Sequence, residues 1–249
     1  MANGFDPRAT VRPRPTAFGA GAGVEQEAAF SAGLRSYMLS VYNYMASGVL
    51  LTGIVALLFA NSQFGRDILI NGGGLRYLIM FAPLAFIMVL SFGINRISTG
   101  TAQALFWAFA AVMGVSMSSI FLVFTGQSIA TTFFAVAAAF VSLSLWGYTT
   151  KKDLSGFGTF LIMGVFGLLF ASIINLFVGS SAMQMAISFV GVLVFAGLTA
   201  YDTQKIKSLY FQVAGTDMMG KTVIMGALSL YLDFVNMFTF LLNFMGQRD

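Results

Sequence analysis

A chain of 249 residues that is 58% hydrophobic and only 9% charged is not built for a water-exposed surface, since soluble domains carry about 25% charged residues. It has no cysteine and no histidine, which excludes disulfides, cysteine nucleophiles, thiolate or imidazole metal sites and serine–histidine catalysis. The net charge of +4 comes from cations placed mostly between apolar runs, so membrane topology rather than nucleic-acid binding explains the basic balance.

Residues 1–36 differ from the rest. They hold Arg8, Arg12 and Arg14, Pro7, Pro13 and Pro15, and a Gly/Ala run from Phe18 to Val24. The first long apolar run begins near Met38, too far along for a secretory signal. This composition predicts a disordered cytoplasmic tail.

Residues 37–246 read as a membrane domain, with 247–249 a short end. Seven apolar stretches lie at about 38–60, 75–95, 102–125, 129–149, 157–178, 183–206 and 221–245. Each is long enough to cross a ~30 Å core at 1.5 Å per residue. The fold class is therefore an all-α polytopic bundle of seven transmembrane helices. With the N-terminus inside, Arg8, Arg12, Arg14, Arg35, Arg96, Lys151, Lys152, Lys205, Lys207 and Lys221 fall on the inner side. Arg66, Arg76 and Arg248 fall outside. That bias predicts N-in, C-out. A six-span variant with a re-entrant last segment also satisfies the charge pattern.

In the second stretch, Pro83 is the only proline inside a span and predicts freed backbone groups. In the third, Ala110, Gly114 and Ser118 are four apart, a spacing that lets another helix approach closely. No internal repeat is evident, which argues against inverted-repeat transporters.

Two acidic residues lie inside apolar runs: Asp202 in the sixth and Asp233 in the seventh. A carboxylate at a span centre costs roughly 2.5–3.5 kcal/mol, against about 0.3–0.6 returned by one Leu or Phe. Such a residue normally faces the bundle interior and marks an ion or proton path. Asp233 is about 18 Å along its helix from Lys221, near mid-membrane. Ser229, Asp233, Asn236 and Asn243 form one polar stripe on that helix. Asp202 sits three residues before Lys205, and by itself it also reads as an interfacial carboxylate. Gln184, Ser188, Gly191, Thr199 and Asp202 form a second stripe on the sixth helix.

The segment Gly197-Leu198-Thr199-Ala200-Tyr201-Asp202-Thr203-Gln204 resembles the signature of the transmembrane Bax-inhibitor-motif family. Ala227-Leu228-Ser229-Leu230-Tyr231-Leu232-Asp233-Phe234-Val235-Asn236 is similar to its last-helix motif. Lys151-Lys152-Asp153-Leu154 matches a short loop motif. The resemblance covers residues 35–246 and looks bacterial, because the chain ends Gln247-Arg248-Asp249 without a basic tail. It implies a bundle whose last helix is enclosed by the other six, and a pH-sensitive calcium leak. It also implies Asp202 and Asp233 as an ion- and pH-sensing pair, with Arg96 as a basic latch. Positive-inside topology alone also accounts for Arg96.

Two carboxylates in reach of each other in a dry site resist double ionisation, so a pair switches without histidine. Half-protonated, and with Arg96 compensating charge, it would hold the second, sixth and seventh helices together. Doubly ionised, it would repel and offer Ca²⁺ a transient oxygen site, with Asn236 adding an oxygen and Ser229 and Tyr201 as polar support. No resident cofactor and no enzymatic activity are expected; the expected partners are the lipid bilayer, Ca²⁺ or protons, and another membrane protein. By residue count Asp233 lies about 10 Å deeper than Asp202. They meet only if the sixth helix runs past the bilayer or the seventh starts lower than drawn.

Three other readings compete. Intramembrane aspartyl proteases also use one Asp on each of two spans, and Tyr201-Asp202 fits them. Leu230-Tyr231-Leu232 does not supply their Gly-x-Gly turn, and no Pro-Ala-Leu follows. A regulator that binds a membrane protease or another complex is the second, with the Arg/Pro tail as its contact. A retinal-type pump needs a lysine within a span, and all five lysines lie in loops or at span ends.

Overall fold

The computed structural model describes the backbone from Ala17 to Arg248 and side chains from Phe30 onward. Two compact units divide the chain, Met1–Ser36 and Tyr37–Asp249. In chain order the helices are α1 (Ala17–Asn61), α2 (Gln63–Asn71), α3 (Gly74–Gly93), α4 (Thr99–Met117), α5 (Ile120–Val123), α6 (Gly126–Thr149), α7 (Ser155–Val178), α8 (Ser181–Val213) and α9 (Met218–Met245). Among the described residues, seven segments are long and apolar enough to cross a membrane, α4 and α5 forming one of them. Among the described residues no strand forms; Phe124 and Arg248 make an isolated bridge.

The spans match the apolar stretches, and their ends follow from local chemistry. Ser62, Ser98, Thr125 and Ser180 precede α2, α4, α6 and α8, and each side chain accepts a backbone N–H three residues on. The tight α7–α8 turn uses Gly179 at φ 65, a left-handed position open to glycine. Asn175 holds this turn: its carbonyl accepts from Gly179 and its Oδ1 from Ser180.

α9 is the hub of the second unit. Two thirds of its apolar window is buried, against 39% or less for every other span. It packs on α4, α6 and α8, and α1 reaches it through Thr52 and Tyr231. The outer helices turn large apolar side chains outward instead: Phe81, Leu84, Met88 and Phe92 on α3, and Phe160, Phe170, Leu176 and Phe177 on α7. An exterior of that kind suits lipid. α9 also runs unbroken for 28 residues, the length of a full crossing rather than a re-entrant loop.

The small-residue stripe on α4 packs as its spacing predicts. Gly114 lies so near α1 that a Cβ would stand 2.7 Å from the Thr52 carbonyl. Pro83 leaves the Ile79 carbonyl without its helical donor, and the Ser116 hydroxyl of α4 donates to it at 2.5 Å.

Four features differ from the sequence expectation. The tail expected over 1–36 falls outside the described residues as far as 16, but from Ala17 the chain is helical. Glu25, Gln26, Glu27, Ala28 and Ala29 are strong helix formers, which favours that continuation. α2 is a short extra helix between the first two spans. The third span breaks near Ser118–Ser119, between α4 and α5. Finally, α8 continues to Val213 and α9 begins at Met218, each further than the apolar runs alone indicate.

Candidate functional site

The motif on α8 is used mainly to pack helices. Gly147 of α6 lies directly against the Ala200 backbone, with no room for a Cβ. Gly158 of α7 lies against the Tyr201 ring in the same way. A Cβ on Gly197 would stand 2.8 Å from Leu161 of α7. Thr199 and Thr203 are buried and donate to carbonyls of their own helix, those of Phe195 and Thr199. Gln204 then joins two sequence motifs. Its Oε1 accepts from Leu154 N at 2.9 Å and its Nε2 donates to the Lys152 carbonyl at 2.8 Å. The loop motif is thereby fastened to α8. Lys207 adds a bond to the Tyr148 carbonyl at 2.7 Å, with its ammonium 4.8 Å from that ring centroid.

Asp153 in the same loop accepts from Ser155 N at 2.9 Å at the start of α7. Its hydrogen bonds from Ser155 hold its carboxyl below the usual carboxylate range. It is exposed and structural.

Asp202 is half-buried on α8, and Asp233 on α9 is only 4% exposed. Asp233 Oδ2 has no hydrogen-bond partner. Asp202 and Lys205 both lie near enough to act on Asp233 electrostatically. The separation in depth expected from residue counting is narrowed by the longer helices. Asp202 lies eleven residues before the end of α8 and Asp233 fifteen beyond the start of α9. At 1.5 Å per residue those offsets differ by about 6 Å.

The two asparagines of the α9 stripe, and Thr239 near them, bond to their own helix. Asn236, Thr239 and Asn243 each donate to a carbonyl four residues back, at 2.8 Å. A carboxylate has no proton to give in this way, so Asp233 stands apart from its own stripe. Ser229 is half-buried. Tyr201 is half-buried too, and the Lys205 ammonium lies 5.9 Å from its ring centroid.

Arg96 is exposed in the turn after α3, where its N–H donates to the Gly93 carbonyl. Among the described residues no hydrogen bond or ion pair joins its side chain to Asp202 or Asp233. The cation that acts on both carboxylates is Lys205, an exposed residue that sequence reasoning set beside Asp202 but not beside Asp233. Its position three residues after Asp202, one helical turn on, was the available signal. Among the described residues no cluster of three metal-ligating side chains forms.

Comparisons with known proteins find a family and several relatives that match most of this chain. The family described as inhibitor of apoptosis-promoting Bax1 matches residues 34–249. The chain is 46% identical to protein RP147 of Rickettsia prowazekii over 220 residues, covering 88% of this chain and 92% of the relative. It is 46% identical to a Caulobacter vibrioides protein, covering 86% and 90%. It is 45% identical to the inner membrane protein YbhL of Escherichia coli, covering 87% and 94%.

Proposed function

The chain belongs to the Bax inhibitor family of multi-pass membrane proteins, and from that premise we propose that it is a pH-sensitive calcium leak channel gated by Asp202 and Asp233. The relative named an inner membrane protein supports the same location here. The cation bias supports an N-terminus in the cytoplasm.

The observation that carries the reading is Asp233: a buried carboxyl oxygen without a hydrogen bond, on the most buried helix, facing a second carboxylate on α8. A carboxylate in hydrocarbon carries a steep insertion cost and normally marks an ion or proton path. With one proton held between them, Asp202 and Asp233 draw α8 and α9 together, and Lys205 offsets the residual charge. Loss of that proton leaves like charges facing each other in a poorly hydrated site, which separates the helices. Two ionised carboxylates then offer oxygen ligands to Ca²⁺ as it passes. Arg96 takes the latch role on this reading, reaching the pair through movement of the turn after α3.

The backbone around Asp233 argues against proteolysis as the activity. Leu230 and Tyr231 are fully buried in regular helix, which leaves no opened backbone at which a peptide would dock.

The test is Ca²⁺ flux in liposomes holding the full chain, with pH stepped from acidic to neutral. Flux should rise with pH, and Asp202→Asn and Asp233→Asn should each flatten the response. Retention of the wild-type profile by both variants would sink the carboxylate gate. A wild type without flux but with a cellular phenotype would favour the regulatory role.

A further inference from the structure

Tyr231 stands two residues before Asp233 and is not part of the carboxylate pair, yet it is wholly buried. Two residues turn a helix by about 200°, so Tyr231 leaves α9 on the side away from Asp233. There its hydroxyl lies 2.6 Å from Thr52 Oγ1 of α1. The Thr52 hydroxyl itself lies 2.8 Å from the Ala110 carbonyl of α4 and donates to it. Threonine has one hydroxyl proton, so the bond between the two hydroxyls must be donated by Tyr231. The result is a directed relay from α9 through α1 to α4. Its bonds span 179 and 58 residues of sequence.

The ring that carries the hydroxyl has little freedom. Phe106 and Phe109 of α4 meet it edge-on, with centroids 6.3 and 5.2 Å away. On the α1 side the room comes from Gly48, where a Cβ would stand 3.4 Å from the Tyr231 ring and 2.9 Å from Phe106. Around Tyr231, α1 and α4 thus present only uncharged groups. α6 packs phenylalanines, Phe133 and Phe140, on Phe234. The charged groups acting on Asp233, namely Asp202 and Lys205, come from α8.

We propose that the Tyr231–Thr52–Ala110 relay sets the rotation of α9 and so holds Asp233 toward Asp202, making Tyr231 and Thr52 positioning residues for the gate. This rests on the carboxylate-gate reading. Rotation of α9 that carries Asp233 away from α8 draws the Tyr231 hydroxyl off Thr52. In a membrane interior no water replaces the lost partner. The relay therefore favours the closed arrangement from the face of α9 opposite the carboxylates. One buried hydrogen bond shifts such an equilibrium about two- to tenfold. If opening releases one proton, that shift moves the flux midpoint up to about one pH unit toward acid.

The experiment uses the full chain in phosphatidylethanolamine–phosphatidylglycerol liposomes, with Ca²⁺ flux measured across a pH series. Thr52→Val and Tyr231→Phe should move the midpoint to lower pH by up to about one unit. Thr52→Ser keeps the hydroxyl and should keep the wild-type midpoint. The double variant should move no further than Tyr231→Phe alone, because either change removes the same link. An unmoved midpoint in both single variants, or shifts that add, overturns the proposal. A second readout separates this from failure of the channel reading. The chain has no cysteine, so Met225→Cys on α9 supplies a single thiol for a water-soluble maleimide. If flux is absent, faster labelling in Tyr231→Phe, restored to the wild-type rate in Thr52→Ser, upholds the relay while the channel reading falls. Equal labelling in all variants overturns the relay.

Discussion

The two motif segments look alike in sequence, each a Tyr close to an Asp on a long apolar helix, but they are held in different ways. On α8, the residues from Gly197 to Lys207 are fastened at many points: backbone contact with Gly147, ring contact with Gly158, and side-chain bonds from Gln204 and Lys207 to neighbouring backbone. On α9, the residues from Ala227 to Asn236 are more deeply buried, but among the described residues the hydrogen bond that leads from them to another helix is the Tyr231–Thr52 contact, and Asp233 Oδ2 is unbonded. Depth of burial and firmness of attachment therefore separate. α8 has the character of a frame, and α9 that of an element kept in place by shape and one relay.

Replacing the carboxylate should change stability most. Asp233→Leu removes a buried carboxyl whose Oδ2 makes no hydrogen bond, so it should raise thermal stability in detergent, by up to about 3 kcal/mol, while abolishing the pH response. A variant less stable than wild type would mean that Asp233 is bonded and structural, and the contrast with α8 would fail. Gly147→Ala acts on the frame with the opposite sign. A methyl group meets the Ala200 backbone, which should cost about 1–3 kcal/mol and lower the unfolding temperature. A tolerated alanine would show that α6 and α8 have slack. The smallest effect belongs to Asp153. Because its hydrogen bonds to Ser155 favour the charged form, whatever it contributes is present above the ordinary carboxylate range and lost only as pH falls through and below it. Asp153→Asn should leave the flux midpoint unchanged between about pH 5 and 8. A shifted midpoint would move the sensor from α9 to the loop.

Much of the frame was legible in the sequence because it depends on local pattern. Apolar length gave the seven spans, and four-residue spacing of Ala110, Gly114 and Ser118 gave a close helix contact on α4, though not that its partner is α1. Insertion cost alone singled out Asp233. The end of α8 was misplaced because Lys205 and Lys207 signal the membrane edge, and a helix does not stop where lipid does. Its extension is held by tertiary contacts such as the buried Tyr210, which hydropathy does not record. Thr52 was invisible for a different reason. A threonine in an apolar run usually bonds to its own helix, and nothing near it announces a tyrosine 179 residues away.

The carbonyl that Pro83 leaves behind has a mechanical consequence. A proline bend in a membrane helix is commonly a weak point, since one rung of its ladder is missing. Here the rung is replaced from outside, by the Ser116 hydroxyl on α4. Flexing at that point would strip a hydrogen bond where no water can replace it. The proline site is thereby pinned rather than left as a joint, and it ties α3 to α4 along the stretch that leads to Arg96.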